Sequence, residues 1–201
     1  VKIGNNVVSI GESAFSFCPI DILVIPDSVK TIGNSAFNDV NEFYIGKNVE
    51  KYGGMPKKAK AIVDSENQYY YSDEYGALYN KEKTLLLHFP SSCELDEYDI
   101  PYGVETIGKG AFRNSQLKTI NIPSSVKFIG DSAFWDCDNL THIIFPEGVT
   151  ELGNTVLFGC YAIEYIHLPK SLTKIGHNFE TGCGVFKFCT VSDDCYAKTY
   201  V

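Results

Sequence analysis

The chain has no uninterrupted apolar run of the roughly 20 residues that a membrane helix requires, so membrane insertion is not expected. It has no CxxC, HExxH, GxSxG, GxxxxGK[ST] or GxGxxG. Zinc-ribbon, zincin, hydrolase-elbow and phosphate-cradle chemistries therefore have no anchor in the sequence. Positive charge is scarce: 17 basic residues stand against 25 acidic ones, for a net charge of −8. A protein that tracks nucleic-acid phosphates needs a basic face, and docking on anionic lipid needs the same. Nucleic acid is thus not an expected partner. No signal peptide, lipidation motif or sorting tail is visible. The chain opens in mid-phrase (VKIGNNVVSIGESAF), which reads as a fragment or processed form, expected to be monomeric.

What is present is repetition. IPSSVKFIGDSAFWDC (Ile122 to Cys137), FPEGVTELGNTVLFGC (Phe145 to Cys160) and LPKSLTKIGHNFETGC (Leu168 to Cys183) follow one another 23 residues apart. Aligned on the glycine after an aliphatic residue, or after Tyr52 in the third copy, the copies fall at Gly11, Gly33, Gly53, Gly108, Gly130, Gly153 and Gly176, most of them 22 or 23 apart. With 44% hydrophobic residues the chain can bury one extended, stacked core.

Each slot of the phrase has a physical task. In QLKTINIP, Leu117, Ile120 and Ile122 should face inward, while Thr119 and Asn121 fall on the opposite face of a strand. Pro123 ends that strand because it cannot donate to a ladder, and Pro26, Pro101, Pro146 and Pro169 hold the same slot. Val126 and Ile129 keep one side of the return segment apolar. Gly130 turns the chain, either at positive φ or where a side chain would strike a neighbouring coil. Ala133–Phe134 should begin a helical turn, as should Ala14–Phe15, Ala36–Phe37 and Ala111–Phe112. So short a unit cannot bury its own apolar face; stacked, it builds a solenoid with a parallel sheet at ~4.8 Å spacing. Cys18, Cys137, Cys160 and Cys183 share a slot and read as a column of buried thiols.

The phrase IPxxVxxIGxxAFxxCxxL resembles the BspA-like, or spirochaete-type, leucine-rich repeat over roughly residues 1–56 and 92–184. Ala61 to Pro90 (AIVDSENQYYYSDEYGALYNKEKTLLLHFP) resembles an insertion common in that family. The ending VFKFCTVSDDCYAKTYV resembles its terminal unit, a last strand and a short amphipathic segment. The resemblance implies a right-handed α/β solenoid: a parallel sheet on one face, short helices or turns on the other, and an inserted β-hairpin. Residues 1–201 would form a single solenoid, with N-terminal repeats over 1–56, an irregular repeat with the insertion over 57–91, regular repeats over 92–184 and a cap over 185–201. Within the insertion, Ala77–Asn80 and Thr84–Phe89 read as two strands of a hairpin projecting from the solenoid.

Departures from the phrase carry expectations too. Phe179–Glu180 replace Ala–Phe in the last full copy, and a one-residue shift should bring Phe179 into the phenylalanine slot, since an unpaired glutamate will not sit there. Gly53-Gly54-Met55-Pro56 has lost the Ala–Phe pair, so that coil should be irregular. Cys189 and Cys195, both in the cap, are the candidate disulfide; with seven cysteines, one thiol stays free unless it bonds another chain.

No catalytic constellation emerges, and no cofactor, metal site or enzymatic activity is expected. Histidines 142 and 167 fall on the outward face in different columns and read as surface residues. The one cleft a catalyst would use lies between hairpin and solenoid, near Tyr71, Asp73 and His88. Tyr69-Tyr70-Tyr71, Tyr75 and Tyr79 either pack the hairpin down or, where exposed, anchor contacts. Function is then sought on the sheet. One outward column reads Ile22, Glu42, Glu97, Thr119, His142, Tyr165 and a second Val24, Tyr44, Asp99, Asn121, Ile144, His167. His142, Ile144, Tyr165 and His167 group as an aromatic, weakly polar patch beside an acidic one at Glu97 and Asp99. Such a face suits a protein or glycan partner. By resemblance the module would be extracellular or at the cell surface and would serve in adhesion. The alternative is a spacer that presents another domain of a longer surface protein.

Overall fold

The computed structural model describes residues 1–183 and the backbone of 188–191. Two compact units are present: Val1–Glu82 with His88–Cys93, and Lys83–Leu87 with Glu94 onward.

In the first unit, β1 (Ser9–Ile10), β3 (Thr31–Ile32) and β5 (Lys51–Tyr52) form one parallel sheet. The longer β2 (Phe15–Val24), β4 (Phe37–Ile45) and β6 (Lys60–Val63) form another. In the second sheet Ile22, Glu42 and Lys60 align in one row and Val24, Tyr44 and Ile62 in the next, while Leu23, Phe43 and Ala61 between them are buried. The alternation follows the two-residue period of a strand. The insertion adds β7 (Tyr70–Ser72) and β8 (Leu78–Asn80), paired antiparallel. Asn67 pins it to the coil beneath. Its amide donates to Gly46 O at 2.9 Å and Val49 O at 3.2 Å, and its Oδ1 accepts from Tyr69 N and Tyr70 N.

In the second unit, β10 (Glu97–Asp99), β12 (Thr119–Asn121), β14 (His142–Ile144), β16 (Tyr165–Leu168) and β18 (Phe188–Val191) stack in parallel. A second ladder runs through β9 (Leu85–His88), β11 (Thr106–Ile107), β13 (Phe128–Ile129), β15 (Glu151–Leu152) and β17 (Lys174–Ile175). Leu86, Ile107, Ile129, Leu152 and Ile175 point into the core from this ladder, and Tyr98, Ile120, Ile143 and Ile166 from the other. The expected single sheet is therefore two. The strands of the second are only two residues long in the regular coils, too short to show alternation in the sequence.

The expected short helices are absent among the described residues. The reason lies in the backbone. Gly110 and Asn114, Ser132 and Asp136, Thr155 and Gly159, and Asn178 and Gly182 all have left-handed φ between 52° and 81°. Two such residues four apart leave no room for a right-handed helical turn. The segment between them instead donates every second amide to the next coil: Phe112 N to Ala133 O at 2.8 Å, Asn114 N to Trp135 O at 2.8 Å, Phe134 N to Val156 O at 3.0 Å. In the first unit the same slot is strand, entering β2 at Phe15 and β4 at Phe37.

Other expectations are corrected in detail. Strands do occupy Leu78–Asn80 and Leu85–His88, but they do not project: Leu78, Tyr79 and Leu86 are buried, and Leu85–Leu86 lie parallel to Thr106–Ile107 as a solenoid rung. The antiparallel turn between Tyr70 and Asn80 went unforeseen. Phe179 is buried and Glu180 exposed as expected, yet Leu157 N donates to Phe179 O as Phe134 N does to Val156 O, so the backbone register is kept. Gly53 to Pro56 is irregular, with Gly54 at φ +137°. Cys18 is exposed and stands outside the buried thiol column. Cys195, the side chain of Cys189 and most of the 185–201 cap lie outside the described residues, and the candidate disulfide with them.

His88 is buried, and its Nε2 donates to Ala59 O at 3.0 Å. Burial pulls the ring down from 6.5 to about 4. Because the folded value is depressed, the native ring stays neutral where the unfolded ring takes up a proton. Its stabilisation is complete above pH 6.5 and is lost as pH falls from 6.5 towards 4. A separation of that size is worth roughly 3 kcal/mol. Urea midpoints at neutral and mildly acid pH should diverge accordingly, and His88→Gln should remove much of the difference.

Candidate functional site

The outward faces of the parallel strands hold the site residues read from the sequence. In the second unit Glu97, Thr119, His142 and Tyr165 are aligned on successive strands. Asp99 pairs with Asn121 and Ile144 with His167 in the neighbouring column. The rings of His142 and Tyr165 lie 6.0 Å apart, tilted by 38°, and Ile144 beside them is 56% exposed. His142 Nδ1 is 2.9 Å from Thr141 Oγ1. At the other end Asn121 Nδ2 donates to Glu97 Oε1 and Asp99 Oδ1, both at 2.6 Å, which holds two carboxylates beside one amide. The buried neighbours Tyr98, Ile120, Ile143 and Ile166 anchor these strands, so the outward side chains stand on a rigid floor.

Tyr44 belongs to the first unit, between Val24 and Ile62 in register, and its hydroxyl donates to Glu42 Oε2 at 3.2 Å. The neighbouring Glu42 carboxylate raises the Tyr44 hydroxyl above its ordinary value. Ile62 and Lys60 are the residues sequence reading missed. The signal was there: KAIVD alternates like the other copies and ends on the aspartate that follows the strand.

The residues named for a catalytic cleft make local contacts within the first unit. Asp73 Oδ1 accepts from Tyr75 N at 3.0 Å and Ala77 N at 2.8 Å, shaping the insertion turn. Tyr71 packs against Tyr79 with ring centroids 6.1 Å apart, and His88 is buried. Tyr70 is half-buried with its hydroxyl 3.3 Å from Glu50 O, whereas Tyr69 and Tyr75 are exposed. The two readings of the tyrosine cluster thus divide it between them.

The thiol column serves packing. Cys137, Cys160 and Cys183 donate to Phe112 O, Phe134 O and Leu157 O at 3.1, 2.9 and 2.9 Å. Burial, reinforced by Cys160, pushes the Cys137 thiol well up, and burial takes Cys183 to about 12. Thiolate is the reactive form, so these groups should resist alkylation. Peptide mapping after a brief native iodoacetamide pulse should find Cys18 modified and Cys137 and Cys160 only after denaturation.

Among the described residues no group of three or more His, Cys, Asp or Glu is placed to hold a metal ion, and no helix is long and apolar enough to cross a membrane.

No curated protein matches the sequence. Solved structures do. A leucine-rich repeat protein of Eubacterium ventriosum is 29% identical, with a TM-score of 0.73 over 82% of this chain and 50% of that one. The pneumococcal vaccine antigen PcpA is 21% identical, with a TM-score of 0.83 over 94% of this chain and 55% of that one. A leucine rich cell surface protein of Faecalibacterium prausnitzii is 22% identical, with a TM-score of 0.65 over 94% of this chain and 59% of that one. The chain therefore spans between 50% and 59% of the length of these relatives. The family model described as the BspA type leucine rich repeat region matches residues 1–55 and 88–197, in six copies. The chain belongs to the BspA-type leucine-rich repeat family.

Proposed function

We propose that the chain is a non-catalytic interaction module of a cell-surface or secreted protein, built on a right-handed solenoid and acting as a monomer. It binds a protein or glycan through the outward face of β12, β14 and β16. The observation that carries this reading is the in-register grouping of His142, Ile144, Tyr165 and His167 on a ladder anchored by buried neighbours. Repeat scaffolds commonly use such extended faces for large partners. One structural relative is described as a cell surface protein and another as a vaccine antigen, which agrees with display outside the cell. In a screen against matrix proteins and glycans, a true ligand should lose roughly 30-fold in affinity on Tyr165→Ala, the cost of an aromatic anchor worth about 2 kcal/mol. Retention of full affinity by Tyr165→Ala and His167→Ala together would dismiss this face.

A spacer is the second reading, favoured by cross-coil ties on the sides: Lys118–Asp96 at 3.0 Å, Lys127–Glu105 at 3.4 Å and Lys174–Glu151 at 3.1 Å. It predicts that every outward residue of these strands tolerates Ser.

A further inference from the structure

The first unit carries a different surface. On its outer sheet Val24, Tyr44 and Ile62 form an unbroken row across three strands, with Ile22 two residues back along β2. Val24 is 56% and Ile62 37% exposed, and Ile22 is 51% exposed. The row floors a groove at the strand ends, where Pro26, Asp27, Gly46 and Asp64 make the wall. Contiguous apolar side chains left in water mark a contact surface more often than scattered ones do.

The wall is acidic. Asp27 and Glu66 flank Lys47 at 3.6 and 3.5 Å, and Asp64 stands beside them. Three carboxylates against one ammonium leave this rim with a net charge of −2. The whole chain, at −8, adds a field of the same sign. Lys47 is held protonated by Asp27 and Glu66, so it offsets one of the three carboxylates and no more. An apolar floor bounded by net negative charge complements an occupant with aliphatic groups on one side and cations on the other. An extended peptide achieves this by alternating the two, because its side chains point to opposite faces with a period of two.

We propose that this groove binds an extended peptide segment of a partner protein in which aliphatic residues alternate with Lys or Arg. The aliphatic side chains rest on Val24, Tyr44 and Ile62. The cations reach Asp27, Asp64 and Glu66. The site shares no residue with the His142–Tyr165 patch and does not depend on it.

Fluorescence anisotropy with three short labelled peptides tests the proposal: alternating Leu-Lys, alternating Leu-Glu and alternating Ser-Lys. The Leu-Lys peptide should bind at least about tenfold more tightly than either control. Val24→Ser with Ile62→Ser should abolish that binding, and both residues are exposed enough for the fold to tolerate the change. Asp27→Asn with Asp64→Asn keeps the Oδ1 acceptors that Lys47 N and Glu66 N use. It should weaken binding about tenfold and flatten its salt dependence. Tyr165→Ala should leave the peptide affinity unchanged, so failure here and failure of the His142–Tyr165 face are told apart. Equal binding of Ser-Lys would reduce the groove to a diffuse charge effect and overturn the proposal. So would binding that survives Val24→Ser with Ile62→Ser. Sedimentation that reveals a dimer abolished by those same substitutions would assign the groove to a second copy of the chain, which also overturns it.

Discussion

Gly153→Ala should cost about 3 kcal/mol, at the upper end for forcing one extra carbon into a packed interior. A Cβ built at Gly153 lies 2.5 Å from Asp131 N and 2.7 Å from the Gly130 carbonyl carbon. Both are backbone atoms of the preceding coil and cannot swing aside. Gly33, Gly130 and Gly176 meet the coil before them in the same way, at 2.5, 2.7 and 2.4 Å. None of these glycines has a left-handed φ, so space and not conformation fixes the residue. Gly11 is the internal control. It holds the same slot in the first coil, where nothing lies within 4 Å of a built Cβ. Gly11→Ala should therefore change stability by no more than about 0.5 kcal/mol. Urea unfolding of the two variants measures the contrast, and equal costs would mean that the glycines serve the turn rather than the stack.

Phe134→Ala should cost about 3–5 kcal/mol, the range for deleting a buried aromatic side chain. Phe134 is fully buried, stacked on Phe112 at 5.5 Å and tilted against Phe145 at 6.4 Å. Phe145 in turn meets Phe179 at 6.2 Å. The rings thus run through four coils, and truncating the central one leaves a cavity bounded by coils whose hydrogen bonds hold them apart. Phe128→Ala is the comparison. Phe128 is 44% exposed on β13, so its loss should be nearly neutral. Thermal or chemical unfolding separates the two cases.

Much of the architecture was legible because one phrase repeats and each slot has a single physical use. The inward and outward residues of Thr119–Asn121 and His142–Ile144 follow directly from strand alternation. The second ladder was not legible, since a two-residue strand such as Phe128–Ile129 shows no period. The turn chemistry was legible and misread. Two residues after the repeat glycine stand Ser13, Ser35, Gly110, Ser132, Thr155 and Asn178, all left-handed. Small or hydrogen-bonding residues at that slot signal a tight turn, not the start of a helix. The pairing of His142 with Tyr165 and of Ile144 with His167 was legible because the copies there are regular. Ile62 escaped because it lies where the phrase is eroded, and with it the apolar row of the first unit.

The stacking of the coils in register can be measured with paired cysteines in a Cys18→Ser background. His142 and Tyr165 face each other on adjacent parallel strands, at a strand spacing of about 4.8 Å. Cysteines there fall within disulfide range under mild oxidation. Cysteines at His142 and His167 lie diagonally, about 8 Å apart by strand spacing and rise, beyond that range. Rapid cross-linking of the first pair and none of the second is the predicted result; cross-linking of the diagonal pair in preference to the aligned one would contradict it.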